Sequence, residues 1–346
     1  MSDSPLVSIL TPTWNRADYL ERVWQSIQCQ TYSAIEWIIA DDGSDDDTVA
    51  RVTQFAACSL FPILLIQASV HIGKARMDNE AIASARGEFI LWCDSDDYLL
   101  PQAIEQLLAT WLSIRASDRG EYVGVTALCA DEQGVISTSL PTAGVFDTTW
   151  NDLSEKFRVS GDMLYLTKAS ELKRLPFPEV DFVIPEGVTW TTLGHKRVRL
   201  LPEVLKINEY GTRNCISFSG KMEYSRGRAY AMATSERNLK VYAQSLSMRC
   251  WRLVTYIRYS IHGEIGVGDA IKLWGSNSSL PIFILMMPPA YILALKDRLQ
   301  GKVRKTHRDF MRASKLVTMT YRQIGLKNTE IVFPSSIAQP ALLVPK

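Results

Sequence analysis

The chain has 346 residues, of which 47% are hydrophobic and 22% charged, with a formal net charge of +1. That composition supports one large core or two smaller ones, and it excludes a disordered chain and a globally basic nucleic-acid binder. Six scattered cysteines (Cys29, Cys58, Cys93, Cys129, Cys215 and Cys250) form no CxxC pair, which argues against a zinc ribbon or disulfide framework and fits a reducing compartment.

The first residues show no basic-then-apolar leader. Residues 6–11 read as a buried strand and Pro12-Thr13-Trp14-Asn15-Arg16 as its turn. Over residues 17–28, Tyr19, Leu20, Val23, Trp24 and Ile27 recur at three- and four-residue steps and predict a helix. Residues 35–40 are a second strand, ending in the carboxylate-rich loop Asp41-Asp42-Gly43-Ser44. A helix over 48–58, a strand over 62–67 and a helix from Lys74 to near Gly87 follow. Strands alternating with helices of ten to fifteen residues predict a parallel sheet covered on both faces.

Residues 89–93 are short, apolar and strand-like, and they run straight into Asp94-Ser95-Asp96-Asp97. Three carboxylates this close raise one another's cost of ionisation, which a divalent cation at the strand end would relieve. Oxygen ligands suit Mg²⁺ or Mn²⁺ shared with substrate phosphates. The plain alternative is a solvated acidic turn capping the next helix. In sheets of this kind ligands bind outside the carboxyl ends of the strands. Residues 11–16, 41–44 and 94–97 therefore converge on one crevice. No Gly-rich phosphate loop is present, so phosphates would need a metal and a cation such as Lys74 or Arg76, both of which also read as solvated helix-start cations.

Beyond about residue 220 the sequence turns helical and rich in Arg and aromatics over 222–259. Residues 280–295 carry no charge and have Pro288-Pro289 at their centre, which predicts an apolar hairpin shorter than the roughly 20 residues of a membrane span. Lys296, Arg298, Lys302, Arg304, Lys305, Arg308, Arg312 and Lys315 follow. Residues 280–315 thus read as a membrane-surface anchor or as a buried helix pair with a basic outer face. Nucleic acid is disfavoured as a partner, because the basic run has no aromatic stacking platform. Residues 331–346 read as a loose tail.

Taken together, Val7-Ser8-Ile9-Leu10-Thr11-Pro12-Thr13-Trp14-Asn15-Arg16, Gln30-Thr31-Tyr32, Asp41-Asp42-Gly43-Ser44, Gly73-Lys74 with Asn79, Gly87-Glu88-Phe89 and Asp94-Ser95-Asp96-Asp97 resemble the family 2 glycosyltransferases of the GT-A fold, over roughly residues 5–215. The resemblance implies an α/β GT-A domain over 1–220, with a helical C-terminal extension over 221–330. It implies inverting sugar transfer from a nucleotide-diphosphate donor, usually UDP-linked in this family, assisted by Mn²⁺ or Mg²⁺. Thr11, Pro12, Thr13, Asn15, Arg16, Asp42, Lys74, Asp94 and Ser95 then match the donor-nucleotide positions. Asp96 is the direct metal ligand, with Asp94 near metal and ribose. Inverting transfer also needs a base on the acceptor hydroxyl. Glu186 matches the late acidic motif, with Asp181 as the near alternative, and Asp162 and Trp190 face the acceptor. Pro185-Glu186-Gly187 departs from the Glu-Asp or Asp of many members. The implied setting is bacterial surface polysaccharide synthesis on a glycan or lipid-linked glycan, in the cytoplasm or peripheral on the inner membrane face. The rivals are a metal-dependent nucleotidyltransferase and an inactive scaffold on the same fold.

Overall fold

The computed structural model describes residues 4–136, 138, 140, 144–157, 159, 161–180, 182–209, 224–238, 246–275, 280–302, 317–324 and 329–335. Contact clustering divides the chain into two units. Unit 1 comprises Met1–Phe177, His195–Arg213 and Ala313–Ile337; unit 2 comprises Pro178–Gly194, Asn214–Arg312 and Ala338–Lys346.

Unit 1 begins with alternating elements: β1 (Val7–Thr13), α1 (Leu20–Gln28), β2 (Ile35–Asp41), α2 (Thr48–Cys58), β3 (Ile63–Ala68), α3 (Lys74–Ser84) and β4 (Phe89–Trp92). It continues with β5 (Tyr98–Leu99), α4 (Ala103–Leu112), β6 (Tyr122–Ala130), β7 (Phe146–Thr149), α5 (Trp150–Glu155), β8 (Met163–Lys168) and α6 (Ala169–Lys173). Among the described residues its strands form one sheet, in the order β11-β10-β3-β2-β1-β4-β8-β6-β9-β5, with β7 on β9. Here β9 is Arg197–Ile207, β10 is Val317–Ile324 and β11 is Thr329–Ser335. The four neighbours β3, β2, β1 and β4 run parallel, while β8 pairs antiparallel with both β4 and β6.

The apolar runs explain the parallel half. Every residue of β1 and β2 is buried, as expected for strands covered on both faces. Trp37, Phe89, Leu91, Leu107 and Leu166 join one core with α1, α2 and α4. α1 starts at Leu20 rather than residue 17. The preceding turn holds Asn15 at φ 53°, while Thr48 Oγ1 and an Asp46 carboxylate oxygen accept the amides of Arg16 and Ala17. Those amides serve the turn instead of a helix.

The C-terminal expectation needs correction. β10 pairs antiparallel with β3 and then with β11, so residues 317–324 and 329–335 extend the sheet and are neither helical nor tail. Residues 336–346 lie outside the described residues. Helices were expected to run on to residue 330, because the alternation in Val317-Thr318-Met319-Thr320-Tyr321 is brief and follows a basic run.

Unit 2 contains α7 (Gly187–Leu193), α8 (Ser225–Asn238), α9 (Leu246–His262), α10 (Val267–Trp274) and α11 (Leu280–Leu299). Its core gathers Ala229, Ala233, Leu253, Tyr256, Ile257, Trp274, Phe283 and Ala290. Residues 280–295 are not a hairpin: α11 is one helix of 20 residues with Pro288 and Pro289 inside it.

Candidate active site at the strand ends

β1 sits between β2 and β4, with Thr13 opposite Asp41 and Leu10 opposite Trp92. Their carboxyl ends therefore lie side by side, and the three polar loops meet there. Asp42 donates its amide to the Thr13 carbonyl (2.9 Å), and Asn15 donates its amide to Ser44 Oγ (2.8 Å). Asn15 Oδ1 in turn accepts the Asp45 amide (2.9 Å). From the other side, Thr11 Oγ1 donates to the Cys93 carbonyl (2.8 Å), and Arg16 Nη1 lies 3.3 Å from Asp96 Oδ2. Pro12, Thr13 and Ser95 are buried in these loops. Among the described residues the Thr13 hydroxyl has no hydrogen-bond partner.

The loop after β2 is rigidly held. The buried Asp42 carboxylate accepts the amides of Ile72 (2.6 Å) and Gly73 (2.9 Å), and His71 Nδ1 lies 2.9 Å from Asp42 Oδ2. Trp14 stacks on His71 with ring centroids 4.2 Å apart. Gly43 has φ 70°, and a Cβ there would stand 2.5 Å from the Val70 carbonyl carbon, so no other residue fits between the two loops. Burial raises the Asp41 carboxyl to about 6, against hydrogen bonds from Ser44.

The loop after β4 is held by side-chain cations. Lys74, first residue of α3, lies 3.2 Å from Asp78 and 3.7 Å from Asp94 Oδ1. Burial pushes the Asp94 carboxyl up, but Lys74, Lys206 and Arg16 outweigh it and hold it below the ordinary carboxylate range. Asp97 is buried against Lys206 at 2.5 Å. Arg22 Nη2 donates to the Asp96 carbonyl (2.8 Å), and the same guanidinium pairs with Glu209 and Glu132.

Arg76 turns out to be neither a solvated cation nor a phosphate ligand in this arrangement. It is buried, and its Nη1 donates to the Ile72 carbonyl at 3.1 Å. Asp162, just before β8, lies at the same sheet edge and accepts from Asn208 Nδ2 at 3.0 Å. Glu186 and Trp190 belong to unit 2: Glu186 is the exposed N-cap of α7, and Trp190 is a half-buried residue of that helix. Asp181 lies outside the described residues.

Four residues of this site escaped the sequence reading as ligand candidates. His71 precedes the two amides that Asp42 grips, Arg22 lies in the first turn of α1, and Asp97 and Lys206 are 109 residues apart. The one available signal was the third carboxylate of 94–97, which needed a buried cation that no neighbour in sequence supplies.

Among the described residues no group of three or more His, Cys, Asp or Glu side chains is arranged to hold a metal alone. Asp94 and Asp96 offer two hard oxygen donors at one strand end. That set fits Mg²⁺ or Mn²⁺ only as a shared site completed by phosphate oxygens and water.

Comparison with known proteins agrees with this geometry. The sequence pattern of glycosyl transferase family 2 matches residues 8–118. An O-antigen biosynthesis protein of Myxococcus xanthus is 28% identical over 44% of this chain and 11% of its own length. A GalNAc(5)-diNAcBac-PP-undecaprenol beta-1,3-glucosyltransferase of Campylobacter jejuni is 28% identical over 55% of this chain and 60% of its own length. The chain thus spans between about a tenth and three fifths of these relatives. In fold it is similar to S. aureus TarS 1-349, at a TM-score of 0.53 and 17% identity, over 86% of this chain and 83% of that one. Residues 8–118, from β1 through α4, thus carry the pattern of glycosyl transferase family 2, and the fold is similar to that of TarS.

Proposed function

We propose that the chain is an inverting glycosyltransferase that moves a sugar from a UDP-linked donor to a hydroxyl of a glycan acceptor. One observation carries this reading: Asp42, Arg16 and Asp96, from separate strand ends, are joined through the turn after β1. A nucleotidyltransferase fits less well, since that turn offers no Gly-rich phosphate loop.

The nucleotide would lie along Thr11, Pro12, Thr13 and Asn15, with the orphan Thr13 hydroxyl free to bond it. Both Asp42 oxygens already accept backbone amides, yet a carboxylate has about four acceptor positions and can take a ring N–H as well. The fold neighbour TarS has been solved with UDP-GlcNAc and with UDP, in keeping with a UDP donor. Asp94 and Asp96 would hold Mn²⁺ or Mg²⁺, which when bound supplies Lewis-acid stabilisation of the departing diphosphate. Lys74, beside Asp94, places a cation next to the same charge.

In the transfer itself the acceptor oxygen attacks the anomeric carbon as the bond to the diphosphate oxygen breaks. The hydroxyl proton passes to the base, Glu186 or Asp181, and the nucleotide diphosphate leaves with the electron pair. Asp162 is assigned to orienting the acceptor from the strand edge of unit 1. The Campylobacter relative's name includes an undecaprenol-linked glycan. A lipid-linked acceptor for surface polysaccharide would place this chain's work at the cytoplasmic face of the plasma membrane.

The test is a screen of nucleotide-sugar turnover with Mn²⁺, using Asp96→Ala as control. UDP-sugars should be preferred and the variant inactive. Equal turnover by the variant removes the metal role, and no thermal shift with any nucleotide diphosphate favours the inactive scaffold.

A further inference from the structure

α11 is apolar on two opposite faces, and only one is covered. Phe283, Ala290, Ala294 and Asp297 are buried along the inner face. There Phe283 meets Tyr256 of α9 edge-on at 6.4 Å, and Asp297 accepts from Arg258 Nε at 2.5 Å and lies 3.0 Å from His262 Nε2. The outer stripe is Pro281, Leu285, Pro288, Ile292, Leu295 and Leu299, spaced by alternate steps of four and three, and every one of these is exposed. Leu285, Ile292 and Leu299 are 66%, 68% and 80% exposed. A folded protein seldom leaves such a continuous apolar stripe in water.

We infer that this stripe binds an anionic lipid surface, with α11 lying flat in the boundary between headgroups and acyl chains. Charge points to that occupant. Every exposed charge of α11 is a cation: Lys296 and Arg298 sit on either side of the stripe near its C-terminal end, and Lys302 follows. The sequence then continues with Arg304, Lys305, Arg308, Arg312 and Lys315 against the single acid Asp309. Lys and Arg beside an apolar face place their stems on the hydrocarbon and their heads at phosphate level.

Lying flat is favoured over crossing. Twenty residues at 1.5 Å each reach about 30 Å, the thickness of the hydrocarbon layer, and an 18-residue window of the helix has a mean hydropathy of 1.4. Length alone therefore permits a span. The inner face, however, is fastened to α9 through Asp297, Arg258 and His262, and α9 also carries Arg249 and Arg252. A crossing would draw those charges into hydrocarbon, where ionised side chains are strongly disfavoured. With α11 flat, α9 stays on the water side. This inference stands whether or not sugar transfer is the activity.

The experiment is flotation of the full chain with vesicles of phosphatidylglycerol and phosphatidylcholine, against phosphatidylcholine alone. Binding should require the anionic lipid, weaken with salt and be removed by alkaline carbonate. The double variant Leu285→Glu/Ile292→Glu, both on exposed positions, should lower partitioning by about tenfold or more while circular dichroism and Tm stay unchanged. Equal flotation of the variant overturns the assignment. So does carbonate resistance, which would mean a crossing helix. A stable dimer in sedimentation, lost in the variant and indifferent to vesicles, would give the stripe to a second copy instead.

Discussion

The loops after β2 and β4 both bring several carboxylates to one edge of the sheet, yet they are held by different chemistry. Asp42 is fastened by two backbone amides from the loop before α3, which cannot move without unfolding that loop. Asp94, Asp96 and Asp97 face side-chain cations, Lys74, Arg16 and Lys206. Under the proposed function, two of those cations, Lys74 and Arg16, would give way to a bound ion by rotation of a side chain. The same sequence signal, clustered Asp after an apolar strand, therefore marks a frame held by backbone amides in one loop and a set of acids held by side-chain cations in the other.

The sharpest way to break that contrast is to remove one acid from each loop. Asp96→Ala should lower metal-dependent donor turnover by on the order of 100-fold or more, the scale for losing a main charge stabiliser, with little change in Tm. Steady-state kinetics beside a thermal melt would check both halves. Asp42→Ala should do the reverse in stability, leaving the Ile72 and Gly73 amides without their acceptor at a cost of about 3 kcal/mol, read from urea unfolding. A large stability loss in the Asp96 variant, or none in the Asp42 variant, would erase the distinction.

The frame was legible in the sequence wherever local pattern sufficed. The buried runs of β1, β2 and β4 and the exact span of α2 follow from apolar periodicity and turn residues, and the strand-end rule then brings 11–16, 41–44 and 94–97 together. What was illegible depends on distant partners. Lys206 meets Asp97 only because β9 runs beside β5 and β6. Residues 317–330 read as helical extension and 331–335 as tail because edge strands on β3 depend on an exposed edge elsewhere in the chain. Arg76 looked solvated because sequence does not reveal that the start of α3 faces inward. The hairpin reading of 280–295 trusted Pro288-Pro289 as a breaker, whereas the helix accommodates both prolines on its exposed side.

A smaller effect concerns pH. Asp41 has its carboxyl raised to about 6 from an unfolded value of 3.8. The folded state therefore binds more protons than the unfolded one between those values, and stability falls as pH rises from about 4 to 6. The shift corresponds to an order of 2–3 kcal/mol. Asp41→Asn should flatten that part of the curve of unfolding free energy against pH, and an unchanged slope would assign the titration to another group.

The smallest and most discriminating effect is at Arg16. Its guanidinium is buried, lies 5.2 Å over the Tyr19 ring and sits 3.3 Å from the Asp96 carboxylate. If that pairing is the exchangeable contact described above, a divalent ion and Arg16 compete for the same oxygens in the absence of nucleotide. Arg16→Gln should then bind Mn²⁺ about three- to tenfold more tightly than the native chain without nucleotide, which is about 0.6–1.4 kcal/mol and in keeping with one partly buried ion pair. The same variant should bind UDP more weakly, because the released guanidinium is the cation nearest Asp96 that can turn to the diphosphate. Titration calorimetry reads both constants on one sample. Weaker Mn²⁺ binding in the variant would mean that Arg16 orients Asp96 for the ion rather than occupying its place, and the loop after β4 would then be as fixed a frame as the loop after β2.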